Sequence, residues 1–128
     1  SIIVSTPQDI ALLDARKGLN MFRKVDVPVF GLIENMSYYV CPKCGDRAEI
    51  FGHGGAKKEA ERMGMDFLGE VPLHISIRET SDNGTPIVVS DAASAHAQAY
   101  KDIADKIWDK IEIGLNSKEP SGPNIVFQ

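Results

Sequence analysis

The feature that most constrains the fold is an almost continuous apolar run, Val27-Pro28-Val29-Phe30-Gly31-Leu32-Ile33, which follows an amphipathic helical pattern. A run without polar alternation is typical of a strand buried on both faces of a parallel sheet. With a shorter strand over 2–4 and the helix between them, it forms a strand–helix–strand unit, which implies a right-handed crossover. The chain is therefore expected to adopt a layered α/β fold.

Strands and helices continue to alternate along the chain. Thr6 is the predicted N-cap of the first helix, whose apolar face carries four residues: Leu12, Ala15, Leu19 and Phe22. The later pattern predicts, in order, a helix from Gly54 that ends at Gly64, a strand over 67–71, a short helix over 75–84, a strand over 87–89 and a long helix from Asp91. This alternation favours a mostly parallel, doubly wound sheet, although fewer strands are visible than such a sheet normally contains.

Length and composition limit the number of domains and the kinds of partner. A chain of 128 residues with 43% hydrophobic content can bury one ordinary core. The formal net charge is -4 and no basic run is present, so we expect no nucleic-acid partner. No stretch approaches the roughly 20 apolar residues of a membrane-spanning helix, and a signal-peptide pattern is missing. These features favour a cytoplasmic protein with no membrane partner.

Residues 37–53 interrupt the alternation with two tyrosines, several charges and both cysteines of the chain. We predict that they form an insertion containing one hairpin, and that the chemistry of the protein takes place there. Residues 1–115 are assigned to one domain carrying this insertion, and residues 116–128 to a flexible tail. Because the apolar run at 1–5 has no polar lead-in, we expect the chain to be cut within a sheet.

The segment Cys41-Pro42-Lys43-Cys44-Gly45 places two thiols three residues apart. A tight turn with proline inside it and glycine after it can point both sulfurs at one metal. Taken alone, the pair fits an iron–sulfur cluster site, a structural zinc half-site, a redox dithiol or two buried cysteines. A redox dithiol would be expected just before a helix, and Asp46, Arg47 and Glu49 do not suggest one.

The number of cysteines points to a second subunit. Tetrahedral zinc and cubane iron–sulfur clusters both usually take four ligands, whereas this chain has two cysteines. A two-fold dimer would bring two pairs, and thus four thiolates, to one axis. His53 follows the pair, but His53, His74 and His96 show no ligand spacing, so His53 is not favoured as a third ligand.

A family resemblance is carried by segments spread in order over residues 1 to about 111, namely 5–15, 31–37, 41–44, 50–56, 68–73, 77–79 and 82–88. Together they resemble the C-terminal half of the Mrp/ApbC family of iron–sulfur cluster carrier ATPases. Members of that family are P-loop NTPases with a deviant Walker A motif, related to the MinD/ParA ATPases. The resemblance implies the C-terminal part of a doubly wound P-loop NTPase sheet with a CxxC-bearing insertion.

The resemblance also implies a function. It predicts a homodimer that shares a [4Fe–4S] cluster for delivery to apo iron–sulfur proteins, with ATP and Mg²⁺ bound by the full-length protein. Cys41 and Cys44 occupy the positions of the bridging cluster ligands without substitution. Mitochondrial relatives serve the assembly of respiratory complex I, so the mitochondrial matrix is the alternative to the bacterial cytoplasm.

Two residues are predicted to bind the nucleotide. Asn35 follows the predicted strand at its carboxyl end, where open α/β sheets bind ligands, and in similar ATPases it contacts adenine. The alternative is an asparagine that caps the following turn by bonding its own backbone. Pro72, within Gly69–Leu73, would line the nucleoside pocket by the same resemblance, or be only a turn residue.

The chain departs from the family pattern in the catalytic half. It contains neither G-x-x-x-x-G-K-[ST] nor the lysine-rich variant, so we assign no catalytic residue and expect no ATP hydrolysis by this chain alone. The segment 52–58 imitates a phosphate loop, but Glu59 stands where Ser or Thr would be needed, and we interpret its glycines as a turn. Besides a cluster carrier, a zinc-binding dimerisation module and a fragment of a MinD/ParA-like partitioning ATPase remain open.

Overall fold

The computed structural model describes residues 1–116 and confirms an α/β fold. Its elements, in chain order, are β1 (Ile3–Ser5), α1 (Asp9–Lys24), β2 (Leu32–Val40), β3 (Arg47–Ala48), α2 (Gly55–Met63), β4 (Phe67–Leu73), α3 (Ile75–Asp82), α4 (Ile87–Ser90) and α5 (Ala95–Asn116). The predicted flexible tail lies outside the described residues, except for Asn116, which ends α5. Among the described residues, no helix is both long and apolar enough to cross a membrane.

The sheet is built around β2, which pairs with all three other strands. It runs parallel to β1, from Ile3 opposite Leu32 to Ser5 opposite Glu34. On its other side β2 runs parallel to β4. Among the strands of residues 1–116 only the two-residue β3 is antiparallel, because it folds back on the far end of β2. The mostly parallel sheet is therefore confirmed, and its antiparallel part is the predicted hairpin.

Helices cover both faces of the sheet, and β2 contributes to two separate apolar clusters. One cluster joins β1 and β2 to α1 and α2: Ile3, Leu12, Ala15, Leu19, Leu32, Ala56 and Ala60. The other joins β2 and β4 to α5: Ile33, Leu68, Val71 and Ile103. Leu32 and Ile33 fall into different clusters because successive residues of a strand point to opposite faces.

The predicted strand over 27–33 is placed too early, because β2 begins only at Leu32. Val27 is exposed, and Val29 and Phe30 are half-buried. Over residues 28–31 the described backbone bonds run to one side alone, to Ser1 through Phe30 N–H and Pro28 C=O and to Ile3 through the Gly31 carbonyl. A strand with neighbours on both sides starts where Leu32 N–H donates to the carbonyl of Asp66.

Two further predictions are wrong in detail. The predicted strand over 87–89 is the short helix α4, in which Ile87 is buried while Val89 is 70% exposed. Burial on one side alone suits a helical turn better than a strand between two neighbours. The first helix starts at Asp9 after Gln8, not after Thr6, whose hydroxyl donates to the Gln8 side chain at 2.9 Å.

Candidate functional site

The two cysteines lie at the tip of the β2–β3 hairpin. Past its parallel section β2 continues to Val40, where it pairs with Arg47 of the returning strand. The tip is closed by two backbone bonds: Cys41 N–H donates to the Asp46 carbonyl at 2.9 Å, and Gly45 N–H donates to the Cys41 carbonyl at 2.8 Å. Gly45 has φ 76°, a left-handed conformation that glycine adopts without strain. The residues around the pair thus form the tight turn that the sequence predicted.

The turn also acts on the chemistry of the first thiol. Both cysteines are free, Cys41 being half-buried and Cys44 exposed. The backbone N–H of Cys44, the backbone N–H of Lys43 and the Cys44 thiol all hydrogen-bond to the Cys41 sulfur, and they lower the pKa of that thiol. The thiolate is the form of cysteine that binds metals. The hairpin tip therefore favours metal ligation by Cys41 and presents Cys44 beside it.

Glu34 is a central residue of the site that we did not predict from the sequence. Its side chain is 0% exposed. Its carboxylate accepts hydrogen bonds from the Ser37 hydroxyl at 2.6 Å, from Gly54 N–H at 3.1 Å and from Ala56 N–H at 2.8 Å. A carboxylate is favoured at a helix N-terminus, where backbone N–H groups lack partners. Glu34 therefore ties the start of α2 to β2, just before the hairpin.

A signal for this contact was present in the sequence. Glu34 directly follows the apolar pair Leu32-Ile33, and a charge that continues a buried strand needs hydrogen-bond donors. The glycines at 52–55 open a helix and supply such donors. Because Gly54 and Ala56 already donate to Glu34, their N–H groups are not available to a phosphate. This supports the interpretation of these glycines as a turn that leads into the helix.

His53 lies between two carboxylates. Its Nδ1 is 3.2 Å from the Ser37 hydroxyl and 3.8 Å from Glu34 Oε1, while its Nε2 is 3.6 Å from Glu70 Oε1. Ligand atoms of Glu34, His53 and Glu70 lie within 4.8 Å of one another, close enough to surround a cation. Three protein donors already occupy the Glu34 oxygens, so the group is better described as a polar network than as a metal cage.

Asn35 is placed inside β2 rather than after a strand, directly opposite Val71 of β4. Its side-chain oxygen accepts the N–H of Met36 at 3.0 Å, and Met36 has the left-handed φ of 55°. The asparagine thus bonds its own backbone, as the alternative interpretation expected. It also borders a cavity of about 360 Å³ whose other lining side chains are mostly apolar, including Ile33, Val71, Tyr100 and Ile103.

Pro72 is buried in β4, next to the residue that pairs with Asn35. From here β2 advances from Asn35 to Tyr39 while β4 advances only from Val71 to Leu73, so β2 bulges. A proline lacks the N–H that a regular ladder uses, and it is found where pairing is irregular. The structure therefore brings Asn35 and the Val71–Pro72 segment together at one bulge, at a distance along the strand from the cysteine tip.

Comparison with known proteins shows one family. Residues 1–108 match the family model described as ParA: NUBPL iron-transfer P-loop NTPase. The chain is 52% identical over 129 residues to the iron-sulfur cluster transfer protein NUBPL of Dictyostelium discoideum, across 99% of this chain and 40% of the relative. It is 51% identical over 107 residues to the iron-sulfur cluster carrier protein of Escherichia coli K12, across 84% of this chain and 29% of the relative. The chain thus spans less than half the length of these relatives.

A solved structure gives the same result. The nucleotide-binding protein in complex with ADP from Archaeoglobus fulgidus superposes with a TM-score of 0.57 at 36% identity, over 65% of this chain and 34% of that one. Since the family model extends over most of the chain, the protein belongs to the ParA-type family of NUBPL iron-transfer P-loop NTPases.

Proposed function

We propose that this chain is the cluster-binding part of an iron–sulfur cluster carrier. Cys41 and Cys44 of two subunits would hold one [4Fe–4S] cluster as cargo for apo iron–sulfur proteins. The observation that carries the proposal is the hairpin tip, where turn N–H groups stabilise the Cys41 thiolate beside a second free thiol. Relatives that are 52% and 51% identical to this chain over the aligned residues are named as cluster transfer and cluster carrier proteins.

The proposed site is completed by a second copy of the chain. Two thiolates leave two coordination positions of a four-ligand site unfilled, and an isologous dimer repeats the same pair across its axis. Cys44 is exposed at the end of the hairpin, so a second tip can approach it. Such a site is open on its outer side, where a recipient protein can reach the cargo.

Transfer from this site needs ligand exchange and no electron. A recipient thiol loses its proton, its sulfur forms a bond to iron, and the bond between that iron and Cys41 or Cys44 breaks. The released cysteine can then take up a proton, so charge and protons balance. The lowered pKa of the Cys41 thiol favours this exchange because its sulfur leaves as a stable thiolate.

Nucleotide binding is proposed for the longer protein, with ATP and Mg²⁺ as ligands. Within the described residues the Asn35 amide nitrogen makes no hydrogen bond, so it is free to meet a purine edge. The backbone of the Val71–Pro72 segment would lie beside the same nucleoside. The related protein solved with ADP supports nucleotide binding in this family. We assign the chain to the bacterial cytoplasm, with the mitochondrial matrix as the alternative.

Anaerobic reconstitution with iron and sulfide tests the proposal. The wild-type chain should develop the broad visible absorption of a [4Fe–4S] cluster and contain about four iron atoms per dimer. Cys41→Ser combined with Cys44→Ser should abolish both signals. Lys43→Gln is the matched control, because it changes the same turn and keeps both thiols.

The same experiment separates the cluster from zinc, which the turn geometry would also suit. A zinc-binding dimerisation module would take up about one zinc ion per dimer and show no visible absorption. Cluster absorption that persists in the double serine variant, or a wild-type chain that accepts zinc alone, would overturn the proposal.

A further inference from the structure

One carboxylate on β4 contacts the cysteine insertion at two points. Glu70 Oε2 lies 3.8 Å from the Arg47 guanidinium, and Glu70 Oε1 lies 3.6 Å from His53 Nε2. Arg47 begins β3, the returning arm of the hairpin, whereas His53 stands where the insertion enters α2. A single side chain outside the insertion thus touches both its arm and its base.

The partners of Glu70 are themselves held against β2. The Arg47 guanidinium carbon lies 3.9 Å from the centre of the Tyr38 ring, a cation–π arrangement. His53 faces Ser37 and the buried Glu34 on its other edge. The contacts therefore form a continuous path from β4 across the insertion to β2.

Backbone pairing alone holds the hairpin weakly. β3 is only two residues long, both of them exposed, and it makes two register pairs with β2. A short two-stranded hairpin is marginally stable in water. Side-chain contacts at its arm therefore provide a substantial share of the restraint on the cysteine tip.

We propose that Glu70 is a positioning residue that holds the Cys41–Cys44 tip against β4 and thereby slows the loss of cargo. The part of this inference that concerns cargo rests on the proposed function, whereas the part that concerns the hairpin does not. Val71 and Pro72, whose backbone is proposed to lie beside the nucleoside, follow Glu70 directly. Glu70 therefore lies between that segment and the hairpin.

Amide hydrogen exchange in the cluster-free chain tests the positioning role. The N–H groups of Cys41 and Gly45, which close the tip, should exchange about two- to five-fold faster in Glu70→Gln and in Arg47→Gln. The double variant should accelerate exchange by less than the product of the two single effects, because both substitutions break the same pair. Asp82→Asn, which removes an exposed ion pair with Arg78 in α3, is the matched control and should leave these rates unchanged.

Two further readouts separate positioning from general destabilisation. The side chains of Arg47 and Glu70 are 46% and 28% exposed, so neither substitution should shift the urea midpoint measurably. Raising the ionic strength should reduce the difference between wild type and variants, because salt screens a partly exposed pair. In reconstituted dimers, the variant whose tip amides exchange fastest should also lose iron to a chelator fastest.

The two proposals fail in different ways. If Glu70→Gln exchanges the tip amides at the wild-type rate, or if the effects of the two substitutions multiply, the positioning role is overturned whether or not a cluster binds. If the wild-type chain takes up no cluster, the proposed function fails, and hydrogen exchange still decides the role of Glu70.

Discussion

Replacing Glu34 by alanine should be among the most destabilising single changes in this chain. The substitution removes an acceptor of three hydrogen bonds and leaves Gly54 and Ala56 N–H without their partner. Ser37 retains a contact with His53 Nδ1, at 3.2 Å, so its hydroxyl is not stranded. An unsatisfied buried donor costs about 1–3 kcal/mol; Ala56 is buried and Gly54 half-buried, so the two donors and the lost packing together amount to about 3–5 kcal/mol.

The glutamine variant distinguishes charge and geometry from simple packing. Glu34→Gln keeps the shape and one carbonyl oxygen, but it turns an NH₂ group towards a backbone N–H donor. One of the three bonds is then lost, so the expected cost is about 1–3 kcal/mol. Glu61→Ala, an exposed glutamate on the same helix α2, is the matched control and should change stability by less than about 0.5 kcal/mol.

Urea unfolding at neutral pH, followed by far-UV circular dichroism, measures these differences. Since small domains have a total unfolding free energy of about 5–15 kcal/mol, a loss of this size is a large and measurable fraction of the stability. Amide exchange at Gly54 and Ala56 should accelerate in both variants, and more strongly with alanine. A cost below about 1 kcal/mol for Glu34→Ala, or equal costs for alanine and glutamine, would refute the reasoning.

Other predictions concern the contacts that hold α1 and α2. Arg16 donates two hydrogen bonds to Glu59, at 2.6 and 2.8 Å, and these bonds lower the pKa of that carboxyl. The pair therefore stabilises the fold fully at pH values above 4.5, the ordinary pKa of the carboxyl. This stabilisation is lost as the pH falls through the lowered pKa. Glu59→Gln should therefore be destabilised at pH 7 and show a flatter stability profile in acid titrations below pH 4.5. A Cβ on Gly55 would lie 2.4 Å from the Pro7 carbonyl oxygen, so Gly55→Ala should lose about 1–3 kcal/mol in urea unfolding. Gly18→Ala, with no atom within 4 Å of the new Cβ in the middle of α1, should instead gain about 0.5–1 kcal/mol. Equal signs for the two alanines would contradict the packing argument.

Elements with strong local signals could be predicted from the sequence. The helix that ends at Gly64 does so in the structure, where Gly64 has the left-handed φ of 65°. The strand from Phe67 is also confirmed, and the long C-terminal helix is present, although it begins at Ala95 and not at Asp91. In each case periodicity and a terminating residue lie within a few positions of one another, so no distant contact is needed to recognise the element.

The misplaced elements depend on distant partners. The apolar run from Val27 correctly indicates burial near Leu32, but the start of β2 is set by where Asp66 and β4 come alongside. Ile87 and Val88 have high strand propensity, yet no strand lies beside them in the described sheet, and they form a helical turn. Propensity yields to tertiary context in both cases.

The candidate site likewise has features that are visible in the sequence and features that depend on distant contacts. The spacing of Cys41 and Cys44 is local and visible in the sequence, as is the hairpin that presents them. The contacts of Glu34 with Gly54 and of Glu70 with Arg47 join residues more than 19 positions apart, across separate elements. Such pairs leave no periodic pattern: a charge directly after an apolar run indicates the contact of Glu34, and nothing in the sequence indicates that of Glu70.

The two carboxylates restrain the insertion with different strength, and the difference fits a carrier. Glu34 is fully buried and hydrogen-bonded, so the base of the insertion is fixed to the core. Glu70 is partly exposed, and its contacts with Arg47 and His53 are longer than hydrogen bonds, so the arm can move at little cost. Under the proposed function, the cysteine tip must hold cargo against loss and still yield it to a recipient. Substitution of Glu34 should accordingly change the free energy of unfolding, and substitution of Glu70 the motion of the tip, with little overlap between the two effects.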